Sequence, residues 1–301
     1  MKIAVTGGSG FIGSHIAEKL ASEGHAISII DLKKPHKTGF DYIKADIREK
    51  NSMMKALNGI DYIYHLAAVS NVNEAKKDPV ECYTTNVLGT LNVLEAARKN
   101  NAKRFIFAST VWVYSTSEEE NVDETTAIDL SKSGHIYTSS KIAAEFAIQS
   151  YKKLYGLDFT ILRYGIPYGP RARPETVIPI FARNALDGKK ITIFGDGKSY
   201  RNFIYVGDLA EGNALAMKKS AENMIFNIDG SERVTIKGVL DVVSRISGRK
   251  CAVEHAEARD EEYKGKQVSI KKAGEELGWK PKTSFEEGMK RYVEWARENR
   301  N

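Results

Sequence analysis

The sequence has few of the residues from which covalent cross-links and metal sites are built. Its 301 residues include only two cysteines, Cys82 and Cys251, which are far apart and outside any paired spacing. The six histidines are scattered without ligand-like spacing. These absences exclude a disulfide framework, give no indication of a metal site and favour a reducing, cytoplasmic compartment.

Long apolar runs and blocks of like charge are also absent. No apolar run approaches the roughly 20 residues of a membrane span, and glycines interrupt the apolar start MKIAVTGGSG, so we expect neither a signal peptide nor a membrane partner. The net charge is +6, from 45 basic and 39 acidic residues, but the basic residues form no long block. We therefore expect no nucleic-acid partner. A solvated lysine-rich surface accounts for the charge, and binding an anionic small substrate is an alternative use of part of it.

What the first half of the chain does contain is a regular alternation of apolar runs and amphipathic segments. Apolar runs at 2–6, 26–30, 42–47, 61–69, 103–109 and 158–164 predict buried strands. Amphipathic segments at 12–23, 51–58, 80–100 and 137–155 predict helices. We therefore predict an α/β fold with a doubly wound parallel sheet of the Rossmann type, covered by helices on both faces.

The composition changes after Tyr164, where the stretch GIPYGPRARPETVIP concentrates proline, glycine and arginine. We predict that residues 1–165 form a first domain and that residues from about 203 to 230 return to it. Residues 166–202 and 231–301 would then form a smaller, discontinuous α+β domain.

Three glycines lie between the first predicted strand and the first predicted helix. Gly7, Gly10 and Gly13 fit a turn that lets the backbone approach a pyrophosphate at a helix N-terminus. Asp31 follows the second strand, where a carboxylate accepts hydrogen bonds from ribose hydroxyls and repels a 2′-phosphate. The pattern predicts a site for NAD rather than NADP, although the nearby Lys33 could bind that phosphate. A purely structural glycine turn is the alternative.

Two further pairs of residues suggest proton transfer at an alcohol. Tyr137 and Lys141 are four residues apart on a predicted helix and so share one face. The lysine ammonium would lower the phenol pKa from about 10, so that Tyr137 could take a hydroxyl proton. Thr110, at the end of a predicted strand, would hydrogen-bond the reacting oxygen, with Ser109 on the cofactor side. The alternatives are a helix-packing aromatic and plain capping of the strand end.

These residues belong to a series of motifs that runs almost from end to end. The motifs are TGGSGFIGSH, HLAA at 65–68, NVLGTLNVLEAA from Asn86, YTSSK at 137–141, LRYGIPYGPR at 162–171, FGDGKSYRNFIYVGDLA at 194–210 and ELGWKP at 276–281. The sequence resembles the extended short-chain dehydrogenase/reductases, specifically the NAD-dependent sugar-nucleotide epimerase/dehydratase family. The resemblance implies an NAD-binding first domain, a substrate-binding second domain and a homodimer.

The resemblance also implies roles for individual residues. The catalytic set would be Thr110, Tyr137 and Lys141. Thr110, Tyr137, Arg201, Arg259 and Glu262 would contact the substrate, with a surface arginine and a solvated glutamate as the alternatives for the last two. The residues implied to bind the cofactor are Gly7, Gly10, Phe11, Ile12, Gly13, Asp31, Asp46, Ile47, Leu66, Ala67, Ala68, Asn86, Ser109, Tyr137, Lys141 and Tyr164.

Some positions depart from the family pattern, and they concern the substrate. Gly165 and Ile166 replace a Phe-Asn pair, so that an asparagine expected at the substrate phosphates is missing. Asn202 replaces an aspartate that usually follows the phosphate-binding arginine, and ARDEEYK replaces an R-P-G-D pattern.

Another difference separates related reactions. Val111 and Trp112 follow Thr110. By the family resemblance, the 4,6-dehydratases have an Asp-Glu pair at these two positions, and the decarboxylases have a glutamate in the same stretch. Neither Val111 nor Trp112 transfers a proton. We therefore predict NAD-dependent C4 epimerisation of a UDP-hexose, UDP-glucose or UDP-galactose first, through a transient 4-keto sugar. The alternatives are a reductase, dehydrogenase or dehydratase of the same family, and a non-catalytic nucleotide-binding scaffold.

Overall fold

The computed structural model describes residues 1–249, 251–257 and 265–299. The strands in these ranges are β1 (Lys2–Thr6), β2 (Ala26–Asp31), β3 (Asp41–Lys44), β4 (Tyr62–His65), β5 (Arg104–Thr110), β6 (Asn121–Val122), β7 (Phe159–Tyr164), β8 (Ile166–Tyr168), β9 (Ile191–Phe194), β10 (Tyr200–Tyr205), β11 (Met224–Ile228), β12 (Arg233–Thr235), β13 (Val253–Ala256) and β14 (Gln267–Val268). The α-helices are α1 (Phe11–Ser22), α2 (Lys50–Ala56), α3 (Val72–Lys77), α4 (Pro79–Tyr83), α5 (Gly89–Lys99), α6 (Ile136–Tyr155), α7 (Val177–Asp187), α8 (Val206–Leu215), α9 (Ile236–Ser247) and α10 (Phe285–Glu298). Shorter helical turns are Thr84–Leu88, Val111–Thr116, Leu130–Lys132, Lys219–Ala221 and Ala273–Leu277.

Seven of the described strands form one parallel sheet in the order β11-β7-β5-β4-β1-β2-β3. Every residue of β5 is buried, as expected for a central strand that is covered on both faces. The strand order reverses between β1 and β4. In open parallel sheets, ligands bind beyond the carboxyl ends of the strands at such a reversal.

The helices bury their apolar faces on this sheet. Val93 of α5, Phe107 of β5 and Ile148 of α6 belong to one buried cluster on one side of the sheet. α6 is 20 residues long and ends at Gly156, whose left-handed backbone (φ 75°) lets its N–H donate to the carbonyl of Lys152. The length of α6 matters for the site, because the predicted Tyr137 and Lys141 lie in its first turns.

The described chain divides into two compact units. The first comprises Met1–Tyr164, Ala210–Ile228 and Val268–Lys280, and the second comprises the other described residues. β11 pairs with β7 in the main sheet, in the returning segment that the sequence led us to expect. The returning segment is shorter than the predicted one, which was about 203–230.

The segment 268–280 was assigned to the second domain from its sequence but packs in the first unit. Trp279 is the physical reason, because its indole is buried beside Gly212, where a Cβ would lie 3.1 Å from its Nε1 atom. The Nζ atom of Lys218 also donates to the carbonyl of Leu277 over 2.8 Å. A sequence pattern that shows only local periodicity does not indicate which core a single tryptophan joins.

The second unit has its own smaller sheets and core. β8, β10 and β12 form a mixed sheet, and β9 pairs in parallel with β13. α7, α9 and α10 cover these strands with an apolar cluster that includes Phe181, Phe203, Val239 and Met289. This is the α+β texture that the sequence predicted.

The described residues contain neither a membrane-spanning helix nor a group of metal-ligating side chains. None of the helices in residues 1–249, 251–257 and 265–299 is both long and apolar enough to cross a membrane. Over the same ranges, no three side chains of histidine, cysteine, aspartate or glutamate are grouped so that they could hold a metal ion.

Candidate active site

The glycine turn after β1 is closed so tightly that it leaves no room for side chains. Gly7 has a left-handed backbone (φ 69°), and a Cβ there would lie 2.7 Å from the backbone nitrogen of Ala67. A Cβ on Gly13 would lie 2.2 Å from the carbonyl oxygen of Gly7. The N–H of Gly10 donates to that same oxygen over 3.0 Å. Backbone atoms alone therefore fix the start of α1 against the end of β1.

The N-terminus of α1 suits an anion. α1 begins after Gly10, which offers no side-chain cap, and its first turn has no acidic residue. The first backbone N–H groups, those of Phe11, Ile12 and Gly13, have no acceptor within the helix and carry the positive end of its dipole. The side chains of Phe11 and Ile12 are half-buried. This arrangement fits the pyrophosphate of a dinucleotide.

Asp31 ties the glycine turn to the end of β2. One carboxylate oxygen accepts the N–H of Ser9 and the other accepts the N–H of Lys33, each over 3.0 Å. The Ser9 hydroxyl in turn donates to the carbonyl of Lys33 over 2.6 Å. A carboxylate has about four lone-pair positions, so Asp31 keeps acceptor capacity for ribose hydroxyls. The glycine turn, the uncapped helix and this carboxylate together fit NAD.

The predicted dinucleotide-lining residues after β4 run beside the glycine turn. The N–H of Leu66 donates to the carbonyl of Thr6, and the N–H of Ala67 lies 3.4 Å from the hydroxyl of the same threonine. Leu66, Ala67 and Ala68 are half-buried. Thr6 was not predicted as a site residue, but its hydroxyl joins this loop to β1.

Asn86 holds the same loop from the other side. Its side-chain oxygen accepts the N–H of Val69 over 2.8 Å, and its amide nitrogen donates to the carbonyl of Val69 over 2.9 Å. The amide nitrogen also donates to the hydroxyl of Ser140 in α6 over 2.9 Å. Asn86 is buried. It therefore braces the loop after β4 against the helix that carries Tyr137 and Lys141.

The predicted adenine-binding pair lies where β3 ends. The carboxylate of Asp46 accepts hydrogen bonds from the backbone and guanidinium of Arg48, and the side-chain bond is the main reason that its pKa is lowered. Arg48 also pairs with Glu81 over 2.8 Å. Ile47 is buried, and a Cβ on Gly89 would lie 2.6 Å from its side chain. The contact of both residues with adenine stays a prediction.

The two hydroxyls at the end of β5 have different partners. The hydroxyl oxygen of Thr110 accepts the N–H of Trp112 over 3.2 Å, as expected of a residue that caps the turn after the strand. The hydroxyl of Ser109 donates instead to the carboxylate of Glu145 in α6. Both threonine and serine are buried. The predicted place of Ser109 beside the cofactor stays a prediction.

Lys141 and Tyr137 lie one turn apart on α6. The ammonium of Lys141 is buried, donates to the carbonyl of Ala108 over 2.8 Å and lies 4.6 Å from the centre of the Phe107 ring. Burial lowers the pKa of Lys141 to about 8, so the side chain is still mostly charged at pH 7. Tyr137 is half-buried, and its carbonyl accepts the hydroxyl of Ser140.

Tyr164 lies opposite Thr110 in the parallel pairing of β7 with β5. Its hydroxyl donates to the side-chain oxygen of Asn213 over 2.5 Å, and burial raises the pKa of the phenol far above its usual value. Tyr164 was predicted to bind the cofactor. In the structure its hydroxyl belongs to the packing of the first unit.

The sequence did not lead us to predict a buried ion pair that lies next to Ser109. Glu145 and Arg163 are each 4% exposed and are joined by two hydrogen bonds, of 2.7 and 3.1 Å. Arg163 also donates to the hydroxyl of Tyr114 over 2.9 Å, and Tyr114 donates to Asn227 over 2.8 Å. Two signals could have revealed it, since Glu145 is four residues after Lys141 and Arg163 is a charge inside an apolar strand.

In the second unit, the predicted phosphate-binding Arg201 lies on β10 and is half-buried. Its guanidinium donates to the carbonyl of Tyr200 over 2.8 Å. The two other predicted substrate residues, Arg259 and Glu262, lie outside the described residues. Their roles stay predictions.

The departures at Gly165 and Asn202 both adjoin one buried carboxyl group, that of Asp229. A Cβ on Gly165 would lie 1.7 Å from a carboxyl oxygen of Asp229, so no larger residue fits there. Asp229 accepts the N–H of Gly230 over 2.8 Å and lies 3.5 Å from the amide nitrogen of Asn202. Among residues 1–249, 251–257 and 265–299 no cation offsets its desolvation, and burial raises the pKa of Asp229 to about 7.

Comparison with known proteins places the chain in a family. A profile described as the NAD dependent epimerase/dehydratase family matches residues 3–229, about three quarters of the chain. The chain belongs to this family. The predicted family and the predicted cofactor, NAD, are thereby confirmed, and the chain is an enzyme of the epimerase/dehydratase class.

Individual relatives cover essentially the whole chain. A putative UDP-glucose 4-epimerase of Methanocaldococcus jannaschii is 37% identical over 99% of both chains. A UDP-N-acetyl-alpha-D-glucosaminuronate decarboxylase of Bacillus cytotoxicus is 35% identical, covering 99% of this chain and 98% of its own. The chain is thus similar to proteins that are named for different reactions.

The fold is confirmed by the crystal structure of the UDP-glucose 4-epimerase of Thermotoga maritima with UDP-glucose. That structure superimposes with a TM-score of 0.93 at 32% identity, covering 99% of each chain. The predicted Rossmann-type parallel sheet and smaller mixed domain are therefore correct for this family member.

Proposed function

We propose that this enzyme catalyses C4 epimerisation of a UDP-hexose, with UDP-glucose and UDP-galactose as first candidates. The similarity to UDP-glucose 4-epimerases supports the proposal. The observation that carries it is the end of β5, where Thr110 is followed by Val111 and Trp112 rather than by acidic residues. Thr110, Tyr137 and Lys141 are the groups needed for oxidation and reduction at one carbon, and neither Val111 nor Trp112 can transfer a proton for the elimination of water.

The residues around the glycine turn would hold the cofactor. Gly7, Gly13 and the N-terminus of α1 would bind the pyrophosphate, and Asp31 would bind the adenosine ribose. Bound NAD would supply a hydride acceptor and then a hydride donor at its nicotinamide. The buried ammonium of Lys141 is available to orient the nicotinamide ribose.

Tyr137 would move the proton. Its phenol would take the proton of the C4 hydroxyl and return it after the sugar has turned its other face. A phenol of pKa about 10 is a weak base at neutral pH, and the ammonium of Lys141 on the same helix face favours the phenolate. Thr110 would hydrogen-bond the C4 oxygen while its charge changes, and Arg201 would bind the substrate diphosphate.

His135, which lies beside Trp112, is the side chain through which the alternative reaction can be tested. His135 is half-buried, and its ring packs edge-on against Trp112 with 5.7 Å between centres. An imidazole is a common general acid or base in enzymes, and His135 is not among the predicted site residues. A dehydratase or decarboxylase would need such a group, whereas the proposed epimerase would not.

We also propose a cytoplasmic homodimer that pairs through helices of the first unit. α4 and α5 pack against α6, and α4 and α6 leave large apolar side chains exposed. Val80 is 74% exposed and Leu154 is 69% exposed, and Phe146 is also exposed. Such side chains are typical of a covered interface. A monomeric mass by light scattering at micromolar concentration would refute the dimer.

The test of the reaction is to incubate the purified protein with UDP-glucose or UDP-galactose without added cofactor and to follow the products by NMR. We expect interconversion of the two sugars, and the same product from a His135→Gln variant. A 4-keto-6-deoxy product that disappears in His135→Gln would show that the protein is a dehydratase. Net, stoichiometric NADH formation would show a dehydrogenase.

A further inference from the structure

One helix holds the end of β5 at two consecutive residues. The ammonium of Lys141 binds the carbonyl of Ala108, and one turn later the carboxylate of Glu145 accepts the hydroxyl of Ser109. Thr110 is the next residue of the strand, and Tyr137 is one turn before Lys141 on the helix. The two contacts thus fix the position of α6 relative to the end of β5. They therefore also fix the positions of Thr110, Tyr137 and Lys141, the residues that would act on the sugar.

The carboxylate of Glu145 is itself held by a cation. Its two oxygens accept three hydrogen bonds in total, one from Ser109 and two from the guanidinium of Arg163. Arg163 pairs with Ser109 in the register of β5 and β7. These hydrogen bonds hold the carboxylate of Glu145 in one place, one helical turn from Lys141.

We propose that Glu145 is a positioning residue of the active site, which keeps Lys141 charged and seated against the end of β5. This inference rests on the proposed function only where it concerns turnover. Glu145 lies behind Lys141 and Ser109, so it acts through them and has no place in substrate binding.

The surroundings of Lys141 make it sensitive to this carboxylate. The titratable and charged groups around it are His65 on β4, Cys82 on α4, Tyr137 and Glu145 on α6, and Arg163 on β7 behind Glu145. His65 is buried, and burial lowers its pKa to about 3, so it stays neutral. Cys82 and Glu145 oppose the burial that lowers the pKa of Lys141. Glu145 is the carboxylate among these groups, and it is held one helical turn from Lys141 by Arg163 and Ser109.

The experiment compares Glu145→Gln with the unmodified protein in two ways. The titration of Lys141 is followed by NMR of carbon-labelled lysine, with its signal assigned by its loss in Lys141→Gln. We expect the Lys141 midpoint to fall by about one pH unit, the size of effect that a neighbouring charge has on a buried group. In turnover, we expect the pH at which kcat declines on the alkaline side of its profile to fall by a similar amount. KM should change much less.

A matched control is Glu286→Gln, which removes the carboxylate of an exposed pair with Arg245 (2.9 Å) in the second unit. It should leave both the Lys141 titration and the pH profile unchanged. If Glu145→Gln does not fold because Arg163 is left unpaired, the double variant Glu145→Gln/Arg163→Gln leaves no lone buried charge. Its Lys141 midpoint should also fall, by less than in Glu145→Gln, because the loss of the positive charge of Arg163 partly offsets the loss of the carboxylate.

An unchanged Lys141 midpoint in a folded Glu145 variant would overturn the inference. A rise in KM with kcat unchanged would overturn it as well, since that result would place Glu145 in substrate binding. The NMR titration needs no substrate. An unmodified protein that fails to invert UDP-sugars would therefore contradict the proposed function and leave the result on Lys141 valid.

Discussion

The two units each bury a carboxyl group, and they treat it in opposite ways. Glu145 in the first unit is paired with Arg163 and hydrogen-bonded to Ser109, so its charge is compensated. Asp229 in the second unit has the N–H of Gly230 and a long contact to Asn202, and its pKa rises to about 7. Burial is the same in both places, and only the nearest partner differs.

The difference shows what a fold must supply to keep a charge in its interior. Desolvation disfavours the ionised carboxyl in either unit, and a guanidinium with matched geometry offsets that cost for Glu145. With no cation beside it in the described part of the chain, Asp229 has a pKa that burial raises to about 7. The first arrangement gives a fixed field beside Lys141, and the second makes the stability of the protein depend on pH.

The largest effect on stability is expected from Arg163→Met. This variant leaves the buried carboxylate of Glu145 without its cation, as the carboxyl group of Asp229 is. Leaving one partner of a buried ion pair uncompensated typically costs about 3–5 kcal/mol in the free energy of unfolding. The loss should grow as pH rises, because Glu145 would then be ionised without a counter-charge. Urea unfolding at pH 5 and pH 8 measures it. Arg245→Met, which breaks an exposed pair, should cost under about 1 kcal/mol, and an equal loss in both variants would contradict the comparison.

The second-largest effect is a change in the pH dependence of stability in Asp229→Asn. A carboxyl whose pKa is raised from 3.8 to about 7 on folding gives stability below pH 4 that is lost as pH rises to 7. A shift of this size corresponds to up to about 4 kcal/mol. We therefore expect Asp229→Asn to be more stable than the unmodified protein at pH 8, and to lose part of this pH dependence. Asp241→Asn, at an exposed position, is the control; equal curves for both variants would show that Asp229 does not titrate as described.

The smallest effect is expected from Ser109→Ala. This variant removes one hydrogen bond to the buried carboxylate of Glu145 and leaves its pair with Arg163 intact. Hydrogen bonds to charged groups contribute about 1.5–3 kcal/mol, so chemical unfolding should show a loss in that range. Ser22→Ala, at an exposed serine of α1, should change stability by less than about 0.5 kcal/mol. A silent Ser109→Ala would mean that the hydroxyl is not part of the buried network.

The sequence allowed the glycine turn and the Tyr137–Lys141 pair to be predicted because both depend on local geometry. A turn without side chains and a spacing of four residues on a helix are visible in a short stretch. The strands of the main sheet were predictable for the same reason, since each is a continuous apolar run.

The buried pairs could not be predicted in this way because each joins residues that are distant in sequence. Glu145 meets Arg163 across a helix and a strand, and Asp229 fills the space that Gly165 leaves 64 residues earlier. Gly165 and Asn202 looked like losses from the family pattern, and the structure shows that both adjoin one carboxyl group. Which partner a buried charge finds is decided by packing, and no local pattern records it.

The most direct test of the proposed reaction uses UDP-glucose that carries deuterium at C4, with the product analysed by NMR. Inversion by removal and return of the same hydrogen predicts UDP-galactose that retains deuterium at C4, with no added cofactor and no loss of water. The rate should fall at least about 100-fold in Tyr137→Phe, the low end for a positioned acid–base group. Loss of the label to water, a 4-keto-6-deoxy product, or full activity in Tyr137→Phe would contradict the account.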